Sequence, residues 1–232
     1  MITTNQAATS LQKRLKGNLL SKLVKSKEFS VLVALFTLCL VVSILSPYFL
    51  KMQNIFNVLR QISVIGILAV GEALIIITGG IDLSVGSVLG FMGVMTALLA
   101  RLGLHPIILF IAAIIIGSLV STISGLLATK VKINPFIVTL GMMSIAKGVS
   151  LLITGGLPIS IENDITYLGS GYIGPVPVSV IIMFIVAAIG HVFATKTLPG
   201  RNIYAVGSNE RAAKLSGIRV DRIKIMVFSI MG

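Results

Sequence analysis

Long apolar segments alternate with short polar ones along most of the chain, and this pattern predicts a series of membrane-spanning helices. The apolar stretches lie at 31–45, about 62–78, 84–100, 107–128, 135–153 and 178–195, and from near 223 to the last residue. A hydrocarbon core about 30 Å thick needs roughly 20 helical residues, so the stretch 107–128 is long enough by itself. We therefore predict an all-α, polytopic helical bundle with about six spans and the start of a seventh.

The stretches 62–78 and 84–100 are short for spans, and two glycines and an aspartate separate them. They form either two spans joined by a tight turn or discontinuous helices that meet within the membrane, where protein or a wet cavity must surround the irregular backbone. Five of ten positions in 75–84 are identical to those in 151–160. If this similarity reflects a structural repeat, helices are predicted to break near 79–84 and 155–160.

Composition excludes two broad classes of protein. The 232 residues are 56% hydrophobic and 11% charged, with a mean hydropathy of +1.05. A soluble domain carries about 25% charged residues, and a disordered chain needs low hydrophobicity, so neither class fits. The formal net charge of +12 would suggest nucleic acid in a soluble chain. Here the cations flank apolar runs, so membrane orientation explains them better.

The distribution of Lys and Arg predicts the orientation of the spans. The segment 1–29 has six cations and 196–224 has seven, whereas 154–177 has none. We therefore predict a cytoplasmic N-terminal segment at 1–29 and a membrane domain at 30–232 with a cytoplasmic loop at 196–224. Lys51, Arg60 and Arg101 then fall outside, against the bias. A secretory signal peptide is the alternative for the N-terminus, but the long basic region and the lack of a small-residue cleavage site favour an uncleaved span.

Three charged residues, Glu72, Asp82 and Lys147, lie in or beside spans. A charge at the centre of a span costs about 2.5–3.5 kcal/mol on insertion scales, so such groups tend to face a cavity or a partner. Asp82 is either a turn residue that caps the helix starting at Ser84 or a contact on a solute path. Lys147 is a possible partner for Glu72. The single cysteine, Cys39, can form no intrachain disulfide.

The segment 78–87 combines backbone freedom with polar groups. Two glycines allow the backbone to leave the helix, and the following Asp and Ser offer oxygens near a helix N-terminus. Such groups suit hydrogen bonding to a polyhydroxylated solute, and a plain hairpin between spans is the alternative.

On the stretch 107–128, small residues recur every fourth position and predict close helix packing; they are Ala113, Gly117, Ser121 and Gly125.

The cytoplasmic segment also predicts a short helix. Asn209 is suited to cap a helix that begins near Glu210, and Gly217 is suited to end it. This helix is either a docking element for a soluble partner or a surface helix with no partner.

Three stretches, 78–87, 134–143 and 200–218, resemble the membrane permease subunit of bacterial ABC-type sugar importers, in the ribose/xylose/arabinose/galactose branch. In that family the third stretch is the coupling loop that docks into the ATP-binding subunit, and Arg211 interrupts the Glu-Ala-Ala order of the general loop as it does in this sugar branch. The resemblance implies ATPase-coupling residues at Asn209, Glu210, Ala212, Ala213 and Gly217. For the substrate pathway we predict Thr78, Gly79, Gly80, Asp82, Ser84, Ser87 and Asn134.

The predicted function is that of a permease subunit in the bacterial inner membrane, with a cytoplasmic N-terminus. The resemblance implies three partners: a second permease subunit, identical or related, an external sugar-binding protein and a cytoplasmic ATPase. The family pattern continues with more spans, so we expect its C-terminal spans to be absent from this sequence.

The chain itself is predicted not to be an enzyme and to need no cofactor. It contains no phosphate-binding G-x-x-x-x-G-K-[ST] pattern, and His105 and His191 lack metal-ligand spacing. ATP is therefore expected to bind the partner subunit. An ion-gradient-driven transporter of small polar solutes, with Glu72 as its coupling acid, is the alternative. An intramembrane enzyme would need clustered catalytic groups that the sequence does not offer.

Overall fold

A computed structural model describes residues 27–232 and is almost entirely helical. Positions 1–26, most of the predicted cytoplasmic segment 1–29, lie outside the described residues. The chain divides into two compact units, Met1–Ile55 and Phe56–Gly232, and each is described by itself.

The described part of the first unit is one long helix and a turn. Helix α1, Lys27–Leu45, exposes most of its apolar side chains, as expected of a helix whose surroundings are lipid. In the turn that follows, the Lys51 ammonium lies 4.2 Å from the centre of the Tyr48 ring. The Asn54 side-chain amide donates to the carbonyl oxygen of Phe49 over 2.8 Å, which fixes the start of the next helix.

Helix α2 begins in the first unit, and all later elements lie in the second. The helices after α1 are, in chain order, α2 Met52–Ile77, α3 Val85–Ala100, α4 Pro106–Thr129, α5 Pro135–Thr154, α6 Tyr167–Ser170, α7 Val178–Lys196, α8 Leu198–Ser208, α9 Glu210–Leu215 and α10 Val220–Met231. A 3-10 turn, Asp164–Thr166, precedes α6. Strands β1, Tyr172–Ile173, and β2, Val176–Pro177, form an antiparallel hairpin in which Tyr172 pairs with Pro177.

The prediction of an all-α, polytopic membrane bundle is confirmed. Within residues 27–232, four helices are long and apolar enough to cross a membrane: α2, α4, α5 and α7. The segment Phe29–Leu45 and helix α3 are apolar but shorter. The helix that contains the apolar stretch at about 62–78 begins earlier, at Met52. Residues 52–61 are partly polar but contain no glycine or proline, so nothing in them stops the helix.

Local chemistry sets the starts of α4 and α5. Each begins with a proline, whose missing N–H would have no helical partner at that position anyway. The residue before each proline caps the helix: His105 Nδ1 accepts from the backbone N–H of Ile107, and Asn134 Oδ1 accepts from that of Phe136 over 3.0 Å. Asn134, a predicted pathway residue, therefore has a structural role as a helix cap.

The backbone leaves the helical conformation at both predicted breaks. Gly79 after α2 has a φ of 78°, and Gly155 and Gly156 after α5 have φ values of 62° and 78°. These left-handed conformations suit glycine, which has no Cβ. The two breaks lead to different structures, however. The first connects two long helices, whereas the second opens into the irregular segment that carries the 3-10 turn, α6 and the hairpin.

Helices α4 and α10 pack antiparallel along the small-residue face of α4, as predicted. The Thr122 and Ser229 hydroxyl oxygens are 2.6 Å apart, and a Cβ on Gly125 would lie 3.0 Å from Cβ of Phe228. At the end of α10, Gly232 lies against the backbone of Gly117. Small residues allow the two helix backbones to approach closely. This packing holds the helices together, because lipid provides no hydrophobic driving force for helix association.

The second unit has one strongly basic end. The segments 77–84, 129–134 and 196–221 meet there, through the ion pair of Lys130 with Asp221 and the contact of Gly207 with Ile77. Nine cations lie in or beside these segments: Lys130, Lys132, Lys196, Arg201, Arg211, Lys214, Arg219, Arg222 and Lys224. The segments 101–105 and 154–177 lie at the other end, where the Asn163 amide donates to the carbonyl oxygen of Leu104 over 3.2 Å.

Arg60, which departs from the charge bias, has local partners at the less basic end. Its guanidinium lies 4.9 Å from the centre of the Tyr172 ring and donates to the carbonyl oxygen of Ser170 over 3.4 Å. A cation over an aromatic face contributes about 0.5–1 kcal/mol at an exposed site. Arg60 thus joins α2 to the β-hairpin.

Candidate functional site

The break between α2 and α3, which we call the hinge (residues 78–84), is held by its own polar side chains. Asp82 Oδ1 accepts from the backbone N–H of Ser84 over 2.7 Å and from its hydroxyl over 2.6 Å. Asp82 and Ser84 are only 4% and 1% exposed. The Thr78 hydroxyl donates to the carbonyl oxygen of Ile75 over 2.7 Å. The geometry thus shows Asp82 acting as a turn residue that organises the start of α3.

Glu72 connects the preceding helix to the hinge. Its Oε1 accepts from the backbone N–H of Asp82 over 3.3 Å, while Oε2 is buried and has no hydrogen-bond partner within residues 27–232. The option of a Glu72–Lys147 pair is wrong. The ion pairs of the described residues are Lys130–Asp221 and Lys224–Glu210, and Lys147 is exposed on α5.

Helix α5 contacts the hinge from another side. The fully buried Thr139 hydroxyl lies 3.4 Å from the carbonyl oxygen of Ile81 and 3.3 Å from that of Phe136. Sequence reasoning did not single out Thr139, although it lies in the stretch 134–143. A threonine in a mostly apolar helix was the available signal, since a buried hydroxyl needs a partner.

Two consecutive helices form the segment that was predicted to be cytoplasmic, and sequence analysis predicted the second. Asn209 Oδ1 accepts from the backbone N–H of Ala212 over 3.0 Å and starts α9, and Gly217 follows its end with a φ of 84°. These features confirm the predicted short helix. Helix α8 was missed, although its start carries a recognisable signal: Thr197 Oγ1 accepts from the N–H of Gly200, and Pro199 lies in the first turn.

Helices α8 and α9 share one hydrophobic core with the end of α2 that leads into the hinge. We call this the coupling core; its buried members are Leu74, Ile75, Ala194, Ile203, Val206, Ala213, Val220, Ile223, Val227 and Phe228. At its edge a Cβ on Gly207 would collide with the carbonyl oxygen of Ile77. The backbone of α8 is therefore in direct contact with the last residue of α2.

The residues predicted to contact an ATPase fall into two groups. Asn209, Glu210, Ala212 and Gly217 are exposed, and Glu210 also pairs with Lys224 over 2.7 Å. Ala213 is 4% exposed and belongs to the coupling core, so its role is to hold α9 against the bundle.

The predicted pathway residues also divide by exposure. Thr78, Asp82 and Ser84 are buried, Gly80 and Ser87 are half-buried, and Gly79 and Asn134 are exposed. A cavity of about 360 Å³ opens beside the hinge at the basic end. Thr78, Gly79 and Gly80 line it together with Lys132 and Glu210, so predicted pathway and coupling residues border one space.

The ion pair that joins α4 to α10 leads to a prediction about pH. The hydrogen bond and charge of Lys130 lower the pKa of Asp221 from its ordinary value. Because the pKa of Asp221 is lower in the folded state, this ion pair stabilises the fold at pH values above the ordinary pKa of Asp. The stabilisation is lost as the pH falls through the lowered pKa. Both side chains are more than half exposed, so we expect less than about 1 kcal/mol.

The test compares the melting temperature of Asp221→Asn in detergent with that of the wild type at neutral and acid pH. The variant should be slightly less stable at neutral pH, and the difference should vanish under acid conditions. Glu162→Gln removes an acid that forms no ion pair within the described residues, and it should show no such convergence. An equal difference at every pH would contradict the prediction.

The fold and site define a polytopic, α-helical membrane protein whose basic end carries a surface helix fixed to a hinge between two apolar helices. Residues 54–232 match the family described as "Branched-chain amino acid transport system / permease component", and the chain belongs to this family. No solved structure matches the chain.

Several curated proteins are similar to the chain. The ribose import permease protein of Bacillus subtilis is 42% identical over 203 residues, which cover 86% of this chain and 63% of that protein. The ribose import permease protein of Haemophilus influenzae is 39% identical over 215 residues, 90% of this chain and 66% of that protein. The D-allose transport system permease protein of Escherichia coli is 37% identical over 204 residues, 85% and 62% respectively. The chain thus spans somewhat less than two thirds of the length of these relatives.

Proposed function

We propose that the protein is the transmembrane permease subunit of an ATP-driven, binding-protein-dependent importer of monosaccharides. The observation that carries this proposal is the coupling core, because it joins the exposed helix α9 to the hinge end of α2. A soluble ATPase that moves α9 would thereby move the hinge. This is the arrangement that an importer driven by a separate subunit requires.

The names of the relatives support a sugar as the substrate. They describe import of ribose and transport of D-allose, and a third relative, 35% identical over 210 residues, is a galactofuranose transporter permease of Escherichia coli. These solutes are all sugars with several hydroxyl groups. We therefore propose that this chain also forms a path for a monosaccharide.

The charge asymmetry supports the proposed orientation. The basic end of the second unit faces the cytoplasm under the positive-inside rule, and the less basic end, with Glu162 and Asp164, faces outward. In the bacterial inner membrane, the loop 196–224 and the N-terminus would then be cytoplasmic. The ATPase would dock on α9, and an external sugar-binding protein would meet the opposite end.

In this mechanism the polar groups at the hinge have two jobs. The buried Thr78, Asp82 and Ser84 keep the turn intact while α2 and α3 move. Exposed and half-buried positions beside the cavity, such as Gly79 and Gly80, contact the solute as it leaves toward the cytoplasm. A second permease subunit completes the pathway, and ATP is bound and hydrolysed by the ATPase rather than by this chain.

Ion-gradient transport, the alternative drawn from Glu72, gains no support from the relatives, which are permease components. In the structure the Glu72 carboxylate accepts a hydrogen bond from the hinge backbone. This contact gives it a structural role.

Uptake of labelled ribose by membrane vesicles tests the proposed function. The 232-residue chain is co-expressed with the ATPase and binding-protein subunits of its importer. Uptake should require ATP, and an ATPase variant that cannot hydrolyse ATP should abolish it. A protonophore applied at constant ATP should have no effect. Uptake that continues with the inactive ATPase and collapses with the protonophore would refute the proposal.

A further inference from the structure

One apolar side chain at the basic end of the second unit is almost completely exposed. Leu215, the last residue of α9, is 90% exposed, which is the highest value for any large apolar side chain in the described part of the chain. A leucine that is this exposed contributes little to the fold in which it stands. Apolar side chains in such positions gain free energy only when another surface covers them.

The direction of Leu215 follows from helix geometry. Successive residues of an α-helix are about 100° apart, so Leu215 points about 200° away from Ala213. Ala213 faces the coupling core, and Leu215 therefore faces away from the bundle. Arg211, four residues earlier, lies on the same face as Leu215.

Several cations lie close to this leucine in the sequence. Arg211, Lys214 and Arg219 are exposed, and none of them forms an ion pair within residues 27–232. The only acids close to them in sequence, Glu210 and Asp221, are already paired with Lys224 and Lys130. A partner that covers Leu215 must therefore offer an apolar depression with an acidic rim.

The helix that carries Leu215 is held firmly at its other side. Asn209 caps its start, Glu210 pairs with Lys224 of α10, and Ala213 is buried. A leucine on a fixed, short helix loses little further freedom on binding, which favours affinity. A small number of residues commonly carries most of the energy of an interface.

We propose that Leu215 is the apolar anchor of the ATPase-docking surface, inserted into a depression on the ATPase that is rimmed by acids matching Arg211, Lys214 and Arg219. This inference rests on the proposed function, and it adds a residue and a partner chemistry to it. The direction of Leu215, away from the membrane-spanning helices, favours a cytoplasmic protein over lipid as the occupant.

Co-purification with a tagged ATPase subunit tests the anchor. Leu215→Ala and Leu215→Glu should each lower ATPase retention by roughly ten-fold or more. Leu198→Ala, which truncates another exposed leucine of the same cytoplasmic segment, should retain the ATPase as the wild type does. The melting temperature of Leu215→Ala in detergent should stay unchanged, because the side chain contacts so little of its own chain.

The possible failures of this experiment are distinguishable. If the wild-type chain retains no ATPase, the proposed function fails, and the anchor fails with it. If the wild type and Leu215→Ala retain the ATPase equally, the anchor is wrong while the proposed function stands. An effect of Leu198→Ala as large as that of Leu215→Ala would also overturn the anchor, since it would show a general loss of apolar surface.

A labelling experiment separates the ATPase from lipid as the occupant. Cys39 is the only cysteine of the chain, so Leu215→Cys in a Cys39→Ser background carries a single thiol. In inside-out vesicles a membrane-impermeant maleimide should label this thiol, and added ATPase should protect it at least several-fold. Poor labelling both with and without ATPase would show that lipid covers the position and would overturn the proposal.

Discussion

Gly207→Ala is expected to destabilise the fold by about 1–3 kcal/mol, the usual cost of overpacking a closely packed contact. The added Cβ would collide with the carbonyl oxygen of Ile77, and both atoms belong to backbone or are fixed to it. Neither can rotate away as a flexible side chain does, so α8 must move off the end of α2. Uptake should fall by roughly ten-fold, the factor that corresponds to about 1.4 kcal/mol, because α8 would no longer hold its position against the hinge.

A second glycine provides the control for this variant. A Cβ on Gly141 of α5 would meet nothing within 4 Å. Gly141→Ala therefore gains helix propensity, worth about 1 kcal/mol, without a clash. Melting temperatures in detergent, measured beside ribose uptake in vesicles, should fall for Gly207→Ala and stay level or rise for Gly141→Ala. Equal stability and uptake for the two variants would show that the α8–α2 contact is not needed.

The helices were predictable wherever the chain carries local signals. The prolines that open α4 and α5 and the caps at His105 and Asn134 coincide with the ends of apolar runs. The start of α2 at Met52 was missed because hydropathy identifies only the apolar part of a helix. Helix α2 also includes the polar residues that precede its apolar run. Helix α8 was missed for a related reason. Its two glycines and its polar residues argue against a helix, although Thr-Leu-Pro at its start is a helix-start signal.

The candidate site was predictable in its parts but not in its assembly. Local patterns were enough to locate the hinge and to start and end α9. The coupling core joins residues far apart in the sequence, such as Ile75 and Ile203, and no local pattern encodes that contact. The burial of Ala213 and the exposure of Leu215 likewise depend on how α9 packs, which the short sequence of that helix does not determine.

Asp82→Ala is the second variant expected to have a large effect. It removes the oxygen that accepts from the backbone N–H and the hydroxyl of Ser84, and both groups are buried. A buried donor left without a partner costs about 1–3 kcal/mol. We expect a clear fall in melting temperature and loss of uptake, because α3 would no longer begin at a fixed position.

Asp82→Asn separates the two roles that sequence analysis left open for this residue. The amide keeps an oxygen that can accept from Ser84, so the melting temperature should stay close to that of the wild type. The carboxylate charge is lost, however. If Asp82 also lies on the proposed solute path, half-maximal uptake should require roughly ten-fold more ribose, equivalent to about 1.4 kcal/mol. Wild-type uptake by Asp82→Asn, together with the instability of Asp82→Ala, would restrict Asp82 to holding the turn and remove it from the pathway.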